Sequence, residues 1–180
     1  MRKYNLKKLT FTAILACISL VAFTLENLLP PLILPGARFG FSNVFVLFAL
    51  VVFGKKSAYA IVLVKGILGS VFSGNLMQIA YSLPSNILAL TLEILILSRH
   101  KSFSIVCASV VGSITAGIVQ NVVFCLTTLT LGYLIYLPYL SLIAMFTGAI
   151  IGLIVFMAIK LLPERIFFES LKENDVDNKR

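Results

Sequence analysis

Charged residues are scarce in this 180-residue chain, in which 12% of residues are charged and 59% are hydrophobic. A soluble domain is typically about 45–50% apolar and about 25% charged. A soluble core of this size has no room for the apolar excess, so the composition excludes an ordinary soluble domain. We therefore predict an all-α integral membrane protein, because long apolar runs without alternation favour helices over the strands of a barrel.

Residues that hold metals or carry nucleophilic chemistry are also few. The chain has three cysteines, one histidine and seven acidic residues, and it has no CxxC motif and no His/Cys cluster with metal-ligand spacing. Cys17, Cys107 and Cys125 each lie within an apolar run, where we interpret them as small buried side chains. Asp175 and Asp177 form a solvated run near the C-terminus. We expect no metal site, no cofactor and no catalytic residue.

Six apolar segments are predicted as transmembrane helices, since about 20 mainly apolar residues are needed to cross a bilayer. Their ranges are 9–29, 41–53, 58–72, 76–97, 102–131 and 137–162. The second and third are short for a full crossing, and an alternative interpretation joins them in one hairpin that never crosses completely. Together the segments form one transmembrane domain, 1–162, followed by a polar cytoplasmic tail, 163–180.

Basic residues lie on one side of the predicted membrane. Thirteen of the 15 Lys and Arg residues fall at the N-terminus, in the second and fourth connections, or at and beyond the end of the sixth helix, whereas the opposite connections hold only Arg38. The positive-inside rule makes the basic side the cytoplasm, with both termini inside, and we expect the plasma membrane of a prokaryote. Basic clusters between apolar segments do not indicate nucleic-acid binding, despite the net charge of +8. The N-terminal apolar stretch has no small-residue cleavage pattern, so we interpret it as an uncleaved first helix.

Polar side chains recur near the outer ends of the predicted helices. Helical rise gives them a similar depth, and the set comprises Arg38, Asn43, Asn75, Gln78, Asn86, Gln120 and Asn121. Amides supply donors and acceptors, and an arginine can hold a carboxylate or phosphate with two parallel hydrogen bonds. We interpret the set, with Lys65 as its floor, as a solute-binding pocket in the outer half of the membrane. Alternatively, the amides hydrogen-bond between helices and only hold the bundle together.

Lys65 is the lone cation in the apolar segment 58–72. A charge near the bilayer centre costs about 2.5–3.5 kcal/mol on insertion scales, so such a residue normally has a partner or faces a wet cavity. Glu93, at a somewhat deeper position in the fourth segment, is the candidate partner. The pair is interpreted either as a structural ion pair or as a functional one, including a proton relay.

Small residues recur at four-residue spacing, which lets helix backbones approach closely. We assign most such pairs, including Gly148 with Gly152, to packing inside the bundle. A similar set near the cytoplasmic end of the first helix is a candidate docking surface for a partner helix, and it comprises Thr12, Ala13, Ala16 and Cys17.

The segment 34–43 (LPGARFGFSN) combines a proline–glycine pair, a basic residue, a further glycine and an asparagine that opens a helix. It resembles the signature of the Gx transporter family, which is also labelled heptaprenyl diphosphate synthase component I. The likeness continues through 53–56 (FGKK), a helix with a central basic residue, and 66–70 (GILGS). It covers residues 8–160, although the similarity outside the loop motif is general hydrophobic likeness.

That family is in turn similar to the substrate-binding S components of energy-coupling-factor transporters. The resemblance implies a six-helix bundle that holds a small solute in an outer-half pocket. It also implies docking through the first-helix set onto a transmembrane coupling subunit, which a pair of cytoplasmic ATPases would drive. This chain has no GxxxxGK[ST] phosphate-binding loop, so the ATPases would be other chains.

Three functional hypotheses remain from the sequence. The first is a solute-binding membrane subunit of a transport system. The second is a non-catalytic membrane accessory of a polyprenyl diphosphate synthase, since chain elongation needs clustered aspartates for Mg²⁺ and this chain has only Asp175 and Asp177. The third is a scaffold or an autonomous transporter in which Glu93 and Lys65 couple to protons.

Overall fold

The computed structural model describes residues 6–28, 40–99, 104–129 and 131–161. Within these ranges the chain forms six α-helices and a short 3₁₀ helix, and no strand. The α-helices are α1 (Leu6–Leu28), α2 (Ser42–Phe53), α3 (Lys55–Phe72), α4 (Met77–Arg99), α5 (Ile105–Thr128) and α6 (Leu137–Leu161), with the 3₁₀ helix (Leu131–Tyr136) before α6. Arg38 and the predicted tail 163–180 lie outside the described residues.

Four of the described helices are long and apolar enough to cross a membrane: Leu6–Asn27, Met77–Ser98, Ile105–Thr128 and Leu134–Leu161. Helix α2 has 12 residues, which gives it a length of about 18 Å against a hydrocarbon core of about 30 Å. Helix α3 carries three lysines in its 18 residues. The all-helical membrane fold is therefore confirmed, whereas six full crossings with both termini inside remain a prediction.

Helices α2 and α3 form a tight hairpin around Gly54, the only residue between them. Gly54 has φ 87° and ψ 178°, a conformation that suits a residue without a Cβ. Its N–H donates to the carbonyl oxygens of Ala49 (3.0 Å) and Leu50 (3.2 Å), which ends α2. Lys65 and Asn43, each eleven residues from Gly54, are hydrogen-bonded to one another, so the helices run antiparallel. An antiparallel pair fits both two separate crossings and a hairpin that does not cross completely, so this choice stays open.

The six helices pack as a closed ring in the order α1, α3, α4, α5, α6, α2 and back to α1. Side-chain contacts fix the directions: Tyr81 meets Phe124 at one end of the α4–α5 pair, and Glu93 meets Gly112 further along. Helices α1, α3 and α5 therefore end where α2, α4 and α6 begin. We call this the cavity end, and we call the opposite end, which carries Lys7, Lys8, Lys55, Lys56 and Lys160, the lysine end.

The apolar core fills the lysine half of the ring. Its most enclosed side chains come from α2, α3, α4 and α6, and they include Leu47, Ile61, Leu90 and Val155, each at most 1% exposed. Large apolar side chains also cover the outer surface, among them Phe146 on α6. A helix bundle that is apolar outside as well as inside is typical of a protein in lipid.

Helices α5 and α6 approach each other closely at glycines. A Cβ built at Gly152 would lie 2.7 Å from Cα of Val106, and one built at Gly148 would lie 2.8 Å from the Ser113 side chain. The small-residue interpretation of this pair is confirmed, because only glycine leaves room for the facing helix.

Candidate binding cavity

A cavity of about 90 Å³, measured as space open to water-sized molecules, lies inside the ring at the cavity end. On that measure one water needs about 10–15 Å³, so several fit. Every α-helix contributes to its wall, and the polar side chains that line it are Glu26, Ser42, Asn43, Lys65, Tyr81, Ser82, Asn86, Ser113, Gln120, Asn121 and Thr147.

Lys65 lies at the floor of this cavity with 0% of its surface exposed. Its Nζ donates a hydrogen bond to Oδ1 of Asn43 and a longer one, 3.5 Å, to Oγ of Ser42. Burying an ammonium group is costly unless it is hydrogen-bonded, and charge-assisted bonds offset that cost most effectively. The α2 side of the hairpin therefore supplies partners for the enclosed lysine of α3.

Ser42 connects three helices at the start of α2. Its backbone N–H donates to Oε1 of Glu26 on α1 at 2.9 Å, and its carbonyl oxygen accepts a 3.0 Å hydrogen bond from Oγ of Ser19. The first N–H groups of a helix have no partner within the helix, and a carboxylate there is also favoured by the helix dipole. Glu26 therefore satisfies the N-terminus of α2, where Phe41 provides no side-chain cap.

The amides of α4 and α5 are oriented by their own helices. Asn86 Nδ2 donates to the carbonyl oxygen (2.7 Å) and to Oγ (3.1 Å) of Ser82. Asn121 Oδ1 accepts from Sγ of Cys125 at 3.4 Å. Asn86 is left with a carbonyl oxygen, and Asn121 with an NH₂ group, that have no hydrogen bond to the described residues. The cavity wall thus presents an acceptor on α4 and a donor on α5.

The rest of the wall is apolar and aromatic. Helix α6 contributes Leu140, Ile143 and Ile151. Tyr81 and Phe124 pack edge to face, with ring centroids 5.6 Å apart and planes at 88°. A mostly apolar wall with a few convergent polar groups is the usual construction of a small-molecule site.

The structure brings together five of the eight predicted binding residues, namely Asn43, Lys65, Asn86, Gln120 and Asn121. Two others do not line this cavity in the structure. Asn75 is exposed in the turn between α3 and α4, and Gln78, although buried, lies one turn nearer the cavity end than Ser82 and donates to Oδ1 of Asn27 at 3.4 Å. Gln78 therefore joins α4 to α1, as in the alternative interpretation of the amides. Arg38, the eighth, lies outside the described residues.

Several lining residues were missed from the sequence. The sequence did not predict that three hydroxyl residues line the cavity, namely Ser82, Ser113 and Thr147. Hydroxyl residues are common in membrane helices and usually hydrogen-bond to their own backbone, so they do not mark a site. Glu26 could have been found, since it closes the first apolar run at the same depth as the amides. Its neighbour in space, Ser42, directly precedes Asn43 in the chain.

The predicted docking set on α1 divides between two faces. Thr12 Oγ1 is hydrogen-bonded to Oγ of Ser57 on α3 at 3.1 Å, and Ala16 is 7% exposed within the core. Ala13 and Cys17 are exposed. Thr12 and Ala16 therefore pack α1 against its neighbours, because positions four residues apart share one helix face, and docking through this set stays a prediction.

A second, smaller cavity of about 10 Å³ lies deeper in the bundle. Asn43, Asn86, Glu93 and Gly112 contribute to its lining. The charge of Lys65 acts electrostatically on Glu93, but the hydrogen bonds described for the ammonium run to Asn43 and Ser42. The predicted Lys65–Glu93 pair is thus described as an electrostatic attraction, and whether it is structural or functional stays a prediction.

Comparison with known proteins gives one family. The family model for heptaprenyl diphosphate synthase component I matches residues 15–157, which is most of the chain. No curated protein and no solved structure matches it significantly. The matched region contains five of the six described α-helices in full or nearly so, together with the lining of the main cavity. The chain therefore belongs to the heptaprenyl diphosphate synthase component I family.

Proposed function

We propose that this chain is the solute-binding membrane subunit of a transport system. The observation that carries the proposal is the contrast along the bundle axis. A cavity with polar lining groups from all six α-helices, large enough for several water molecules, occupies the cavity end. Side chains such as Leu47, Ile61 and Val155 close the lysine half at 1% exposure or less. A site that lies at one end of the bundle and is sealed from the other suits capture of a solute.

The direction of capture follows from the charges. The described lysines at the helix ends lie at the end opposite the cavity. Under the positive-inside rule that end faces the cytoplasm, so the cavity faces outwards. We propose a plasma-membrane protein of a prokaryote with both termini inside.

The wall indicates the chemistry of the solute. It would be a small molecule that accepts a hydrogen bond from Asn121, donates one to Asn86 and lies with an apolar face against α6. Lys65 favours an anionic group at the floor, and Arg38 remains a proposed clamp over the opening. Asn43 and Gln120 complete the proposed set, whereas Asn75 and Gln78 are no longer part of it.

Energy for transport would come from other chains. The sequence has no phosphate-binding loop of the GxxxxGK[ST] type, and the resemblance implies a coupling membrane subunit with cytoplasmic ATPases. Ala13 and Cys17, on the exposed face of α1, are what remains of the proposed docking set.

The family name favours a second candidate, a membrane accessory of a heptaprenyl diphosphate synthase. The name implies a partner synthase component. No group of three or more His, Cys, Asp or Glu residues that could hold a metal occurs in the described part of the chain, and diphosphate chemistry uses Mg²⁺ held by such oxygen ligands. In this candidate function the chain would be a non-catalytic companion.

Purification in mild detergent, followed by mass spectrometry of bound proteins and small molecules, tests both candidates. We expect a bound metabolite in the wild type, its loss in Asn121→Leu and its retention in Asn75→Leu, the matched change outside the cavity. Co-purifying ATPases would identify the transport system. A prenyl synthase without a bound small molecule would overturn the transport proposal and establish the accessory role.

A further inference from the structure

Glu93 is an enclosed acidic side chain that the proposed solute site does not use. It is 9% exposed and lies in α4 about two turns deeper than Asn86. Its carboxyl packs directly against α5 at Gly112, where an added Cβ would overlap Oε1 of Glu93. Gly112 therefore makes the space that the carboxyl occupies.

The carboxyl has room for one small partner and little else. Glu93 lines the cavity of about 10 Å³, the space of about one water molecule. A carboxylate held so far from bulk water is unfavourable, and a nearby cation or a proton relieves it. Glu93 can be relieved in both ways, by the positive charge of Lys65 or by binding a proton.

The small cavity adjoins the main one. Asn43 and Asn86 line both, so two amides form the partition between Glu93 and the water-sized space at the cavity end. Amide groups can both donate and accept hydrogen bonds, so they can orient water, although they do not themselves release or take up a proton. A proton would therefore pass the two amides on water on its way from the main cavity to the carboxyl.

The charged surroundings of Glu93 are simple. Helix α3 faces it with Lys65, whose positive charge attracts it. Helices α2 and α5 contribute to the small cavity only with Asn43, Val46 and Gly112, which carry no charge, and α4 itself adds Asn86 and apolar residues. Among the described residues Lys65 is therefore the charge that competes with a proton for Glu93.

We infer that Glu93 is a proton-binding site that exchanges one proton with the main cavity past Asn43 and Asn86, and that Lys65 sets its occupancy. The proton adds to the carboxylate to give the neutral acid and leaves by the same route, and no other bond changes. This inference goes beyond solute capture and requires no solute, so it can fail while the proposed function stands.

Infrared difference spectra of the purified full-length protein, recorded while the pH is stepped, test the site with the proton itself as the probe. We expect a carbonyl band of a protonated carboxyl that grows as the pH falls and shifts in heavy water. The chain has seven acidic residues, so the Glu93 band is the component that the wild-type spectrum contains and the Glu93→Gln spectrum lacks. Glu26→Gln, the matched change at the other cavity carboxyl, should retain this component. Identical spectra of the wild type and Glu93→Gln, or a component that does not change with pH, would overturn the assignment.

Changes at Lys65 and Gly112 test the control of occupancy. At a fixed pH near the midpoint, we expect a larger protonated fraction in Lys65→Met than in the wild type, and a fraction near the wild-type value in Lys65→Arg. If Lys65→Met does not fold, Gly112→Ala replaces it, since displacing the carboxyl should alter the band where Gly117→Ala leaves it unchanged. Equal protonated fractions in Lys65→Met and the wild type, or equal bands in the two glycine variants, would overturn the inference.

Discussion

The α2–α3 hairpin and the α5–α6 pair are built in opposite ways. The hairpin is short, turns on a single glycine and carries an enclosed lysine whose partners are polar. The α5–α6 pair has 24 and 25 residues, carries no charge before Lys160 and is held close by Gly148 and Gly152. The two regions therefore contribute differently to the cavity: close packing of α5 against α6 fixes one wall, and the α2–α3 hairpin supplies the charged floor.

The largest loss of stability is expected from a substitution in the α2–α3 hairpin. Asn43→Leu keeps the approximate size of the side chain but removes the Lys65 acceptor, and a hydrogen bond to a charged group contributes about 1.5–3 kcal/mol. We expect a loss of that size in the free energy of unfolding, measured by chemical unfolding in mixed micelles. Asn86→Leu, which removes only bonds within α4, is the control and should cost less. Equal losses in the two variants would contradict the special role of the hairpin.

The second largest loss of stability is expected from a substitution between α5 and α6, the two helices that form one wall of the cavity. Gly152→Ala forces α5 and α6 apart, because its Cβ would lie 2.7 Å from the backbone of Val106. Overpacking of this kind costs about 1–3 kcal/mol. The matched control is Gly117→Ala, whose Cβ would meet only Cβ of Ala144 at 3.5 Å. A fall in thermal stability confined to Gly152→Ala is expected, and equal melting temperatures would show that the wall can open at no cost.

A smaller effect should follow from the contact between α1 and the hairpin. Ser19→Ala removes the hydrogen bond to the carbonyl oxygen of Ser42, and such a neutral bond contributes about 0.5–1.5 kcal/mol. Thr10→Ala is the control, because the exposed Thr10 hydroxyl bonds only within α1, to the carbonyl oxygen of Leu6. We expect the unfolding midpoint to fall in Ser19→Ala and not in Thr10→Ala. The reverse order would mean that Ser42 does not hold α1 in place.

The smallest effect is expected outside both regions. Asn75→Ala changes an exposed side chain in the turn after α3, and surface substitutions usually stay within about 0.5 kcal/mol. Stability and the amount of co-purifying small molecule should match the wild type. Loss of the small molecule in this variant alone would restore Asn75 to the binding set and move the site towards the turn.

The sequence predicted helices well because membrane helices are defined by apolar length. The predicted range 137–162 corresponds to Leu137–Leu161, and 9–29 corresponds to Leu6–Leu28. The fifth helix is shorter than its apolar run. Ser104 caps its start by accepting a hydrogen bond from the Val106 N–H, and Leu129 ends it in a left-handed conformation with φ 55°. Neither end can be predicted from hydropathy alone.

The sequence predicted how far along each helix the candidate site residues lie, but not towards which neighbouring helix each side chain points. Counting residues gave the level of Asn43, Asn86 and Asn121, since helical rise is constant. The direction of a side chain depends on which helices become neighbours, and that is set by tertiary packing. Lys65 illustrates the difference, because the register imposed by Gly54 brings Asn43 to its ammonium, a partner that the sequence did not indicate.

The single-glycine hairpin also constrains how the protein is made. Helix α3 carries an ammonium group in its middle, and two hydrogen-bond partners of that group lie on α2, 22 and 23 residues earlier in the chain. A helix that entered lipid alone would expose that charge, whereas a preformed α2–α3 pair enters with it already hydrogen-bonded. We therefore expect the two segments to leave the translocon as one unit, with Lys55 and Lys56 at the tip kept on the side where synthesis occurs.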